Sequence, residues 1–269
     1  MLGLGMRRIA AITAGLLSIA ALSGAASAAD LPAKVIYTKA PPMVAPVYNW
    51  AGLYIGLNGG GAWSRNCWDL TNSSGGTPPR PIGESCHDAS GALVGGQIGY
   101  RWQMTNWVFG LEAEGDWANL KGSKTSAIGT FAGLPFLDQT KINAIGLFTG
   151  QVGYAWNNVL WYVKGGAAVT DDKYNGVSQF AAGGFPAGFA FDQATETRWG
   201  GAIGTGIEFG FAPSWSVAVE YDHLFMGSSS NNLINFTGGF DRTESINQDV
   251  NMGTVRVNYT FSGPGVAKY

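Results

Sequence analysis

The sequence predicts an all-β chain, an eight-stranded antiparallel up-and-down transmembrane β-barrel, on three observations. From Trp50 onward, apolar and polar residues alternate in eight separate segments, the period of a strand with two unlike faces. The connections between those segments alternate long and short, as they do when an up-and-down barrel gathers its long loops at one end. The apolar parity also carries Trp, Tyr and Phe near strand ends with Val, Ile, Leu and Gly between, the girdle pattern of a strand facing lipid. The stretch "WVFGLEAEGDW" shows the first and third together. It sets Trp107, Phe109, Leu111, Ala113, Gly115 and Trp117 on one side and Glu112, Glu114 and Asp116 on the other.

Taken in order, the first segment, "WAGLYIGLNGGGAW", places Leu53, Ile55 and Leu57 opposite Gly52, Tyr54, Gly56 and Asn58. The second, "ALVGGQIGYRW", places Val94, Ile98, Tyr100 and Trp102 opposite Gln97 and Arg101. The third is the stretch just quoted. The fourth, "KINAIGLFTGQVGYAW", is less regular, although Phe148, Val152, Tyr154 and Trp156 oppose Thr149 and Gln151. The fifth, "VLWYVKGGAAV", sets Val159, Trp161 and Val163 against Tyr162 and Lys164. The sixth, "RWGGAIGTGIEFGF", sets Trp199, Ile203, Ile207, Phe209 and Phe211 against Arg198 and Glu208. The seventh, "SWSVAVEYDHLF", sets Trp215, Val217, Val219 and Tyr221 against Ser216, Glu220 and Asp222. The eighth, "GTVRVNYTF", sets Val255, Val257, Tyr259 and Phe261 against Arg256, Asn258 and Thr260.

Long connections are expected over 64–89, 119–140, 171–194 and 227–248, and short ones at Gln103 to Asn106, Trp156 to Asn158 and Ala212 to Ser214. A soluble barrel would bury the apolar parity and expose the charged one. Here the reverse reading fits: the aromatic parity faces lipid and the charged parity a lumen, while the closed barrel satisfies every backbone group without water. By parity the lumen holds Arg101, Lys164, Arg198 and Arg256 with Glu112, Glu114, Asp116, Glu208, Glu220 and Asp222. An eight-stranded barrel is barely wide enough for side chains. Ten charges in it are therefore expected to form a salt-bridged polar core.

The N-terminus supplies a basic Arg7-Arg8 pair, the apolar run Ile9 to Leu22 and a small-residue site at Ala26-Ser27-Ala28, which together read as a cleaved signal peptide over 1–28. Residues 29–49 carry four prolines without periodicity and read as an extended periplasmic segment, followed by a barrel at 50–261 and a tail at 262–269. After the signal no apolar run is long enough for a membrane helix. Cys67 and Cys86 share one polar segment and, in an exported chain, are expected to pair; as metal ligands with His87 they would lack a fourth partner. Charged residues make up only 13% of the chain and include no basic run, which excludes a nucleic-acid binder. No cofactor or metal signal is present. Catalysis would want a His beside Ser or carboxylate, yet His87 falls in a predicted loop and His223 on the lipid parity, so no enzyme is expected.

The run "YNWAGLYIGLNGGGAW", the "ASAADLPAK" junction and the ending "VRVNYTFSGPGVAKY" resemble the small outer-membrane β-barrel proteins of alphaproteobacteria, the porin-family or OmpA-like barrels. The resemblance covers essentially the whole mature chain. It implies an outer-membrane location among lipid and lipopolysaccharide, with envelope-structural, porin-like or host-facing roles and no catalytic residues. The closing strand also resembles the signal read by the barrel assembly machinery. Two functions stay open on these residues. One is an envelope-structural and surface-interaction role, with the lumen plugged and Phe180, Phe185, Phe189 and Phe191 as loop contacts to a host or envelope protein. The other is a narrow or gated porin.

Overall fold

The computed structural model describes residues 48–181 and 183–261. The expected signal peptide, residues 29–47 and the 262–269 tail lie outside the described residues. Eight strands follow in order: β1 (Gly52–Ser73), β2 (Ile82–Met104), β3 (Trp107–Phe131), β4 (Leu134–Trp156), β5 (Val159–Ser178), β6 (Ala190–Ala212), β7 (Trp215–Asn235) and β8 (Phe240–Phe261). Each pairs antiparallel with the next, and β1 pairs with β8 to close the barrel. Closure leaves no unpaired edge, which the alternating pattern requires of a wall set in lipid.

The strands run 20 to 25 residues, well beyond a membrane crossing. At a rise of ~3.3 Å, the 22 residues of β1 extend roughly 70 Å, whereas the lipid-facing band of such barrels is only ~25 Å tall. The predicted long connections are thus corrected: most of 64–89, 119–140, 171–194 and 227–248 is strand, and only 74–81, 132–133, 179–189 and 236–239 connect strands at that end. The shortest is a two-residue turn at Ala132-Gly133, both with positive φ (52° and 80°), the backbone that a tight hairpin between right-twisted strands demands.

The outer surface changes character partway up. Leu57, Val94, Leu111, Ile203, Val219 and Val255 are exposed in the lower half, bounded below by Trp102, Trp107, Trp156 and Trp215 and above by Trp63, Trp117, Trp199 and Phe225. Above that girdle the outward positions become polar, as with Arg65, Asp88, Lys121, Lys124 and Asn247.

The inside is filled in layers. At the short-turn end Tyr48 and Trp50 pack together, ring centroids 4.4 Å apart, against Val108, Ala155, Leu160 and Tyr162. The Trp50 backbone N–H donates to Gln103 Oε1 at 2.9 Å, fixing this end of the chain in the opening. Tyr48, expected in an extended segment, is therefore buried. Above lies a layer of charge. Over that, Leu93, Leu120, Ile142, Ile145, Leu147, Leu224, Val250 and Met252 form an apolar cluster, each 4% exposed or less. Trp68, Tyr174, Leu233 and Ile246 make a further apolar group towards the far end.

Candidate functional site

The charge layer at membrane height is assembled from facing strands. Glu112 and Glu114 come from β3, Lys164 from β5, Glu220 and Asp222 from β7 and Arg256 from β8, all on the inward parity. Lys164 Nζ lies 2.5 Å from Glu220, 3.2 Å from Asp222, 3.3 Å from Glu114 and 3.6 Å from Glu112. Arg256 reaches Glu220 at 2.5 Å, Glu112 at 2.8 Å and Glu114 at 3.3 Å. Beside this knot Arg101 pairs with Glu208 at 2.8 Å and lies over the Tyr54 ring, 4.2 Å from its centroid. Ser216 and Asn258 also donate to Glu208. The Tyr54 hydroxyl donates to Glu112, and Asn58 to Glu114 at 2.8 Å. Strand glycines make room for these large groups: a Cβ on Gly99 would stand 2.5 Å from the Tyr54 ring.

Two predicted lumen residues stand apart from that knot. Asp116 faces inward and is buried beside Glu114 and Asn58, outside the ion pairs made by Lys164 and Arg256. Arg198 is buried higher up, where it pairs with Glu196 at 2.8 Å and donates to the backbone carbonyls of Gly227 and Ile246. Oxygens of Glu112, Glu114 and Glu220 lie within 4.8 Å of one another, a spacing that suits a metal ion. Lys164 and Arg256 already bring their charge to those carboxylates.

A second charge layer, which the sequence reasoning missed, lies near the long end of the barrel. Arg242 Nη1 is 2.9 Å from Glu84 and Nη2 is 3.2 Å from Asp138; Nε is 3.1 Å from Asp192 and 3.6 Å from Glu244. The guanidinium also lies over the Phe136 ring at 4.6 Å. Four carboxylates share one cation, and burial pushes Asp138 and Asp192 up to about 7 and Glu244 up to about 10. A signal was available: even-numbered residues from Arg242 to Thr260 hold one inward face along β8. Following that parity past Val250 leads to Arg242 and Glu244.

The remaining predicted residues fall as follows. Cys67 and Cys86 form a disulfide between directly paired residues of β1 and β2, rather than within a loop. Of the four phenylalanines proposed as loop contacts, Phe191 belongs to β6 and is buried. It stacks on Phe131 at 4.5 Å and meets Phe136 edge-on, so it packs into the wall of the mouth from a strand rather than from a loop. Phe185 and Phe189 stack on each other at 4.4 Å, half-buried, while Phe180 is exposed. His87 faces inward beside Thr140, at 2.9 Å, and burial lowers it to about 4. His223 lies on the outer face, bonded to Asn251 at 2.8 Å and packed on Phe225.

An apolar belt between aromatic girdles around a filled polar lumen defines an outer-membrane β-barrel. The chain belongs to the outer membrane protein beta-barrel domain family, whose model matches residues 14–261, and its place is the cell outer membrane. It is similar to the 31 kDa outer-membrane immunogenic protein of Brucella melitensis, with 29% identity across 91% of this chain and 98% of that one. A 25 kDa outer-membrane immunogenic protein of Brucella abortus is 26% identical over 95% of this chain and 99% of its own. Among solved structures, the outer membrane protease OmpT of Escherichia coli covers 78% of this chain and 97% of its own, at 9% identity and a TM-score of 0.47.

Proposed function

We propose that this protein is a closed barrel with an envelope-structural and surface-interaction role, its lumen plugged along most of its length. The observation that carries this reading is the apolar layer formed by Leu93, Ile145, Leu147, Leu224, Val250 and Met252 across the lumen above the salt bridges. Hydrophobic constrictions stop ions by excluding water, and here the constriction is packed side chain. The Tyr48–Trp50 pair at the short-turn end supports the same reading. Contact with other molecules is then assigned to the long end, where half the barrel stands clear of lipid. The partners that fit are lipid and lipopolysaccharide around the wall, the barrel assembly machinery during insertion, and a host or envelope protein at the exposed tip.

We read the protein as a binding and structural element rather than an enzyme, because His87 and His223 are engaged by Thr140 and Asn251 on opposite faces of the wall. The alternative, a narrow porin, needs a wet path past both apolar layers. Proteoliposomes loaded with an impermeant polymer and placed in isotonic sugar or salt decide between them. No swelling is expected; swelling proportional to inserted protein would establish the porin.

A further inference from the structure

A cavity of about 340 Å³ opens at the extracellular mouth. Its walls are Phe131, Phe136, Phe191 and Phe236 from four different parts of the rim. Glu84 and Arg242 line it, and Asp241 and Asn235 border it. The volume lies in the range of small-molecule sites, ~300 Å³ upwards, and the mix of apolar walls with a few convergent polar groups is their usual composition.

The charge of this cavity decides what it takes. Every nitrogen position of Arg242 faces a carboxylate of Glu84, Asp138, Asp192 or Glu244, so its charge is already matched by acids. The carboxylates outnumber it. Glu84 is 3% exposed; its Oε1 is held by Arg242 and Ser126, and its carboxylate also meets the Glu244 carboxyl. Asp241 adds another acid at the rim. A bare metal ion is a poor match: among the described residues the carboxylates that converge at metal-ligand spacing are Glu112, Glu114 and Glu220, far below at membrane height. Aromatic walls, by contrast, stabilise a cation that carries its own apolar body, through ring faces and burial together.

We propose that the mouth cavity is a binding site for an organic cation, a protonated amine or guanidinium with an aromatic or aliphatic body, whose charge is taken by Glu84 and Asp241 while the body packs on Phe131, Phe191 and Phe236. An exposed basic side chain of another protein has this chemistry, as does a free aralkylamine. The inference deepens the surface-interaction reading by naming what the mouth recognises. It does not depend on the closed lumen, since a silent barrel can fail to bind and a conducting one can succeed.

The test is calorimetric titration of the refolded full-length mature protein in detergent, above neutral pH, with three probes of like shape: 2-phenylethylammonium, 2-phenylethanol and 3-phenylpropanoate. The ammonium is expected to bind saturably, one per barrel. The alcohol is expected to bind at least about tenfold more weakly, in line with the worth of a hydrogen bond to a charged group, and the carboxylate not at all. Glu84→Gln and Asp241→Asn should each weaken the ammonium by about tenfold. Asp241 lies on the half-exposed rim, so its variant keeps the test valid if the Glu84 variant does not refold. Equal binding of ammonium and alcohol, preference for the carboxylate, no saturable heat, or unchanged affinity in a folded Asp241→Asn protein would each overturn the proposal.

Discussion

The two charge layers are made from the same residue types on the same inward face, yet they sit in opposite surroundings. At membrane height, Arg101, Lys164 and Arg256 hold their carboxylates between a Tyr48–Trp50 floor and an apolar roof. At the mouth, Arg242 alone gathers Glu84, Asp138, Asp192 and Glu244 beneath a cavity that opens outward. A sealed layer can only stabilise or destabilise the barrel, because nothing reaches it without crossing packed side chains. An open layer with a surplus of acids can exchange protons and bind a cation. What separates a structural salt-bridge network from a candidate site here is access, which depends on the apolar residues above and below it rather than on the charges.

The comparison is sharpened most by removing one cation at a time. Arg256→Leu leaves Glu112, Glu114 and Glu220 to share Lys164 alone in a sealed interior, and breaking such a buried network costs about 3–5 kcal/mol. Arg242→Leu should cost clearly less, because its carboxylates, although buried, lie beneath the open cavity that Glu84 lines and can take protons instead. Urea unfolding of both refolded variants checks this, and equal losses would show that the layers are alike.

The disulfide comes next. The bridge spans 19 residues in sequence, and the loop-closure argument assigns a crosslink of that span about 3 kcal/mol. Reducing it should lower the unfolding midpoint and release hydrogen-exchange protection in upper β1 and β2, leaving the lipid-facing halves protected.

The pH response should distinguish the layers more gently. Asp138 and Asp192 hold protons up to about 7 in the folded mouth, whereas the unfolded chain releases them near 4. The folded state therefore binds more protons between those values, and its stability falls as pH rises across that window. Glu244, pushed to about 10, continues the decline into alkaline pH. Glu84, Asp241 and Arg242 complete the set of groups facing them. Asp138→Asn, which imitates the protonated acid, should flatten the slope seen in urea midpoints. A midpoint that climbs with pH would contradict the burial account.

The smallest effect belongs to His223→Ala. The ring is on the outer wall, so the change should stay within ~0.5 kcal/mol and leave the fold intact. Mass spectrometry of lipids extracted from membranes holding the two proteins should show no difference; a lipid modification lost with the histidine would make the barrel an enzyme.

The lipid-facing halves of the strands were legible because lipid imposes a contrast: Leu111 to Trp117 alternates apolar and acidic residues without a break. The upper halves lack that contrast. In "IGESCHDASGA" the outward Cys86, Asp88 and Ser90 are as polar as the inward Glu84 and His87, so a strand reads as a loop. The apolar lumen layer hid for the opposite reason. Ile145 and Leu147 sit on the inward parity, where they blurred the fourth segment's alternation and passed for irregularity. The mouth acids come from β2, β4, β6 and β8, and only barrel closure brings them to one arginine.

Single-channel recording in a planar bilayer tests the closed lumen most directly, comparing the wild-type protein with a Leu147→Ala/Leu224→Ala variant that thins the apolar layer. The account predicts silence from folded, inserted wild type and openings from the variant. A steady wild-type current that changes on Glu112→Gln would contradict it and make the lumen a pathway.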